Sequence, residues 1–164
     1  PSTEEYVRQI DRFIPSLNLT LLWACEKGYL EIVKLLIEKG VDINSQAPIV
    51  TASSNNHLEI VKFLIEKGAD INEANYYNQT ALYLACFDEN NLEMVKLLIE
   101  NGADVNKANA SNQTPLYLAL NSNYSEIVKL LIKNGADINK TYKNNKTLLI
   151  LACQNNNLEM VKLL

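Results

Sequence analysis

Histidine is almost absent from this chain. His57 is the only one among 164 residues, so His-based triads, paired-His metal sites and imidazole dyads have no residues to form from. Cysteine is scarce as well. Cys25, Cys86 and Cys153 include no CxxC pair, which removes the usual zinc-ligand spacing. Each occupies the place after an alanine in a recurring segment, which reads as packing. Three separated, reduced thiols fit an intracellular protein, cytoplasmic or nuclear. No apolar run approaches the roughly 18 residues of a membrane span. Residues 1–14 lack the basic, apolar and small-residue parts of a signal segment, so no membrane insertion is expected. Basic charge is not in excess either: a net charge of −4 argues against a nucleic-acid footprint. The GxGxxG, GxxxxGK(S/T) and GxSxG patterns are all missing. The chain is therefore expected to have no catalytic residue, no metal site and no cofactor.

What is present is a period. The pattern (L/Y)xE(I/M)VKxLI(E/K)(K/N)G(A/V)D(I/V)N recurs, and its valines Val33, Val61, Val95, Val128 and Val161 lie 28, 34, 33 and 33 residues apart. Such a period marks an array of small units, each stable only when stacked on its neighbours. From Leu92 onward, Leu92, Val95 and Leu98 or Ile99 fall on one helical face and Glu93, Lys96 and Glu100 on the other. The spacing predicts an amphipathic helix of about ten residues. Gly40, Gly68, Gly102 and Gly135 follow it, where a positive φ closes the last turn. Thr80, Thr114 and Thr147 precede a second helix as caps, and Pro115 fits its first turn. Glu31, Glu59, Glu93, Glu126 and Glu159, each with a lysine three residues on, read as a solvated face. His57 reads as a turn histidine bonded to local backbone.

The segment Thr114-Pro115-Leu116-Tyr117-Leu118-Ala119 fits a TPLHxA signature with tyrosine in the histidine place, and residues 80–85 and 147–152 are weaker copies. Over residues 19–164 the chain resembles the ankyrin repeat family. The resemblance implies an all-α repeat solenoid of stacked helix-turn-helix units with β-hairpin fingers. The expected organisation is an N-terminal capping helix over residues 1–18 and five repeats, 19–44, 45–72, 73–106, 107–139 and 140–164, the last incomplete. The cap is read from Ser2, Thr3, Glu4 and Glu5 followed by Tyr6, Ile10 and Phe13 or Ile14 at helical spacing. Further repeats or another domain are expected beyond Leu164. From Asn44 to Ala52 the chain is five residues shorter than from Asn72 to Ala85. Either this finger is truncated or about five residues are missing from its tip.

The resemblance further implies a non-catalytic protein–protein interaction scaffold, a monomeric array that binds a partner protein or peptide on its concave face. The alternative is a regulatory or tethering segment of a larger enzyme, channel or effector. Carried over residue by residue, the partner-facing positions are Tyr76, Tyr77, Gln79, Phe87 and Asp88, then Ala110, Ser111, Gln113, Asn121 and Ser122, then Lys143, Asn144, Lys146, Gln154 and Asn155. The 73–106 repeat stands out: it holds three aromatics there, and one extra residue between Cys86 and Leu92. Large aromatics are enriched where partners bind most strongly. The family pattern also marks Asn44, Asn72, Asn106 and Asn139 as places for asparagine hydroxylation. The same side chains are suited to bonding turn backbone.

Overall fold

The structure is a computed structural model in which residues 17–142 and 146–164 are described. Most of the expected N-terminal cap, and Lys143 and Asn144, lie outside the described residues. The chain divides into two compact units, Pro1–Asp70 and Ile71–Leu164. The first holds α1 (residues 17–27), α2 (Leu30–Glu38), α3 (Pro48–Ser54) and α4 (Leu58–Glu66). Here α4 packs on both α2 and α3. The second holds α5 (Ala81–Ala85), a 3-10 turn at Glu89–Asn91, α6 (Leu92–Glu100), α7 (Pro115–Asn121), α8 (Ser125–Lys133), α9 (Leu148–Gln154) and α10 (Leu158–Leu163). These six helices pair in sequence order, with α5, α7 and α9 stacked in an inner row and α6 against α8 in an outer one. This is an all-α repeat fold.

Local chemistry sets both ends of the inner helices. Thr80 and Thr114 side-chain oxygens accept from the N–H three residues on, each at 3.1 Å, and Thr147 does so at 3.4 Å. Pro115 occupies the first turn of α7, where its missing N–H removes no bond. At the other end the chain turns through a left-handed residue: Gly28, Asn56, Asn123 or Asn156. The following N–H then reaches back to the carbonyl of Ala24, Ala52, Ala119 or Ala152 at 3.0–3.1 Å. Asparagine tolerates this conformation better than other non-glycine residues. The 73–106 repeat departs from this. Its extra residue is absorbed by the 3-10 turn, which Asp88 caps by accepting from the Asn90 N–H at 3.0 Å.

The outer helices α2, α4, α6 and α8 are each nine residues long, and in α6 the buried stripe is Met94, Val95 and Leu98. Leu92 is only half-buried, because it opens the helix beside the preceding turn. The same stripe recurs as Ile60, Val61 and Leu64 in α4 and as Ile127, Val128 and Leu131 in α8. On the exposed side Lys34, Lys62 and Lys129 pair with Glu31, Glu59 and Glu126 at 2.7, 2.8 and 3.1 Å. Gly102, at φ +91, lets the Ala103 N–H close α6 onto the Leu98 carbonyl at 3.0 Å.

Strand pairing among the described residues is confined to isolated antiparallel bridges, Ala74 with Thr80 and Tyr142 with Lys146. In the shortened segment the chain passes from Asn44 to α3 through Gln46 and Ala47, both left-handed at φ 62 and 54. The helix that follows is well packed. Ile49, Val50, Ala52 and Ser53 are all buried. Ser53 stands where the other repeats place Cys25, Cys86 or Leu120, fully buried, and its hydroxyl has no partner. A buried hydroxyl without a hydrogen bond is a net loss. Ser53→Ala is expected to raise the unfolding free energy by about 1 kcal/mol, read from the urea midpoint. A lowered midpoint would show that the hydroxyl is satisfied after all.

Cys25 and Cys86 are buried as expected, and burial pushes the Cys25 thiol up to about 12 and the Cys86 thiol higher still. Cys153 corrects the packing expectation. It is exposed: among the described residues α9 lies against one inner helix, α7, whereas α7 lies between two, α5 and α9.

Candidate functional site

The loop before α5 is built by one asparagine. Asn75 Oδ1 accepts from the N–H groups of Tyr77 and Gln79, both at 3.0 Å, and its carbonyl accepts from the Asn78 N–H at 2.8 Å. Tyr76 and Tyr77 therefore occupy the two corner positions of a tight turn, and Asn78, at φ 56, completes it. Asn109 builds the same turn before α7, accepting from Ser111 and Gln113 N–H at 2.9 and 3.0 Å. There the corners are Ala110 and Ser111. The turn closes equally well on small residues, so the tyrosines are not needed to form it.

Tyr76 is 96 % exposed and Tyr77 64 %, their rings meeting edge to face at 5.6 Å. Phe87, 52 % exposed, sets its ring edge to face with Tyr83 at 6.0 Å. Its carbonyl accepts from the Tyr124 hydroxyl at 3.2 Å. The loops are locked to one another. Ala110 N–H donates to the Tyr77 carbonyl at 3.0 Å, Asn78 Nδ2 to the Ala108 carbonyl at 2.9 Å, and Asn112 Nδ2 to the Thr141 carbonyl at 3.2 Å. The exposed tyrosines thus stand on a rigid support.

The remaining expected positions divide by role. Gln79 and Gln113 brace their own turns through Asn75 and Asn109 at 2.9 and 3.1 Å. Gln113 also accepts from the Tyr83 hydroxyl at 3.3 Å. Asp88 caps the 3-10 turn, Ser111, Asn121 and Gln154 are exposed, and Ser122 is half-buried at the end of α7. Asn155 Nδ2 donates to the carbonyls of Leu120 and Asn121 at 3.3 and 3.4 Å, tying α9 to the end of α7. Lys146 is half-buried at its bridge with Tyr142. Two residues missed from the sequence belong here. Tyr83 accepts from Asn109 Nδ2 at 3.0 Å, and Tyr117 lies 4.5 Å from Tyr142, ring to ring. Burial first, then the neighbouring Tyr117 and Cys86, hold the Tyr83 phenol above its ordinary range, so it stays a hydrogen-bond donor. The signal was the tyrosine three residues after each of Thr80 and Thr114.

The repeated asparagines are bonded one repeat ahead. Asn72 Oδ1 accepts from Asp104 N–H at 2.7 Å and its Nδ2 donates to the Gly102 carbonyl at 3.2 Å. Asn106 does the same with Asp137 and Gly135 at 2.8 and 3.0 Å, and Asn44 accepts from Asp70 N–H at 2.9 Å. Asn139 is exposed. His57 also reaches across a repeat, Nε2 to the Glu26 carbonyl at 2.9 Å, which corrects the expectation of a local bond. The chain passes close to it at Gly28. A groove of 380 Å³ lies beside the 3-10 turn, between Leu92, Tyr124 and Ile127.

Among the described residues no helix is long and apolar enough to cross a membrane. No curated protein matches the chain. A family model for ankyrin repeats, in three copies, matches residues 21–109, 50–142 and 89–164. With that match over most of its length, and with the caps, left-handed turns and asparagine bonds recurring in register, the chain belongs to the ankyrin repeat family.

Proposed function

We propose that the chain is a non-catalytic recognition module whose partner, a protein or peptide, docks on the loop-tip and inner-helix face of Ile71–Leu164, which the family resemblance makes the concave face. The observation that carries this reading is the exposure of Tyr76, Tyr77 and Phe87 at positions where the fold asks for no aromatic side chain. Large rings held out on a hydrogen-bonded support lose little entropy when a partner covers them. Gln113, Asn121, Ser122, Lys146 and Gln154 extend the same face over the next repeats.

An affinity capture from source-cell lysate tests it, comparing the wild-type protein with the Tyr76→Ala, Tyr77→Ala, Phe87→Ala variant at equal melting temperature. A protein retained only by the wild type, and then shown to lose about 2 kcal/mol of binding on at least one single alanine substitution, supports the reading. Equal retention by both would place recognition elsewhere.

A further inference from the structure

Charge is sorted along one half of the repeats of Ile71–Leu164. The loop, inner helix and following turn at residues 73–91 carry Glu73, Asp88 and Glu89 and no lysine or arginine. The same portion of the next repeat, residues 107–124, holds Lys107 as its one charge. In residues 140–157 the charges are Lys140, Lys143 and Lys146, without an acid. The outer helices are not sorted in this way: α6 mixes Glu93, Lys96 and Glu100, and α8 mixes Glu126, Lys129 and Lys133.

The structure puts these portions in line. Successive loops are bonded tip to tip, α5, α7 and α9 stack in order, and Asn155 ties the end of α9 to that of α7. Asp88 and Glu89, next in sequence to Phe87, are exposed, and Glu89 borders the groove at Leu92 and Tyr124. Asp88 uses Oδ1 for its turn, leaving its second oxygen. At the other end Lys146 is half-buried and Lys140 Nζ reaches the Asn106 carbonyl at 3.2 Å. The face therefore runs from aromatic and acidic, through amides and hydroxyls with Lys107 as their one charge, to basic.

We infer that the partner presents an extended segment of matching order: an aliphatic or aromatic residue next to lysine or arginine against Tyr76, Phe87 and Glu89, and an aspartate or glutamate toward Lys140 and Lys146. This rests on the recognition reading above and adds the chemistry of the partner. Packed helices sit up to about 10 Å apart, so the two ends of the face, two inner-helix spacings distant, lie about 20 Å from one another. An extended chain covers that in about six residues. Complementary charge at both ends fixes the register of the bound segment and rejects the reversed charge order.

Selection of random dodecapeptides displayed on phage tests this on the full chain, with a Glu89→Lys/Lys146→Glu variant and the triple alanine variant in parallel. Far-UV circular dichroism and melting temperature confirm that all three fold alike. The expected peptides pair a basic residue with an apolar one and carry an acidic residue about six positions away. The charge-exchanged variant should bind them about tenfold more weakly and select peptides of opposite order. Enriched peptides without that order, or held equally by the exchanged variant, overturn the inference and leave recognition standing. No enrichment over the triple alanine variant overturns both.

Discussion

Gly28→Ala is expected to lower the stability of the Pro1–Asp70 unit by about 3 kcal/mol. Two effects add. Gly28 sits at φ +76, and placing an L side chain in the left-handed region costs about 1 kcal/mol. The new Cβ would also stand 2.6 Å from His57 Cε1 and 2.8 Å from its Nδ1, closer than carbon atoms approach. The ring must shift, and the shift breaks its 2.9 Å bond to the Glu26 carbonyl. Gly40→Ala isolates the backbone part, since Gly40 is at φ +82 with nothing within 4 Å of its would-be Cβ. That substitution should cost only about 1 kcal/mol. The Gly28→Ala, His57→Ala pair completes the cycle: removing the ring relieves the overlap, so the double variant should be about 1–2 kcal/mol more stable than the two single losses predict. Urea unfolding followed by Trp23 fluorescence reads this unit, because Trp23 is the only tryptophan. Additive losses would show that Gly28 and His57 do not touch in solution.

Asn106→Ala should cost the Ile71–Leu164 unit about 2–3 kcal/mol. The side chain makes two bonds to the next repeat, accepting from Asp137 N–H at 2.8 Å and donating to the Gly135 carbonyl at 3.0 Å. Alanine leaves both backbone groups to water in a crowded turn, at about 1 kcal/mol each or more. Asn106→Asp keeps the acceptor and loses the donor, so it should fall between. Asn139, the same residue of the motif but exposed, is the control, and Asn139→Ala should stay within about 0.5 kcal/mol of the wild type. Thermal unfolding followed by far-UV circular dichroism separates these variants. Equal losses at Asn106 and Asn139 would remove the inter-repeat role.

The helices were legible in the sequence because what makes them is local. A threonine cap, a glycine of positive φ and an apolar stripe each act within a few residues, and each is visible in the period; the left-handed asparagines Asn56, Asn123 and Asn156 are not read from it. The corner tyrosines are placed at a loop tip through the family resemblance, carried over on the threonine and alanine register. What was not legible depends on how one repeat is offset against the next. The sequence shows that Asn106 and His57 sit in turns, but not that their partners lie about thirty residues away across a packing interface. Exposure of Cys153 could not be read from a motif it shares with Cys25 and Cys86, because its surroundings are set by the neighbouring helix and not by its own. The choice of Met94 over Leu92 for the buried stripe is not set by the extra residue before α6, because α4, which has none, likewise buries Ile60 and leaves Leu58 half-buried.

The asparagine rungs and loop-to-loop bonds have a kinetic consequence. Among the described hydrogen bonds the longest reach is 37 residues, from the Tyr124 hydroxyl to the Phe87 carbonyl. No such tie in either unit therefore needs a chain loop much longer than one repeat to close. Contact order stays low, and the entropy of closure is met in small, nearly equal steps. Folding within each unit can start at any repeat and spread to its neighbours, so adding a repeat lengthens the array without raising the barrier to forming it.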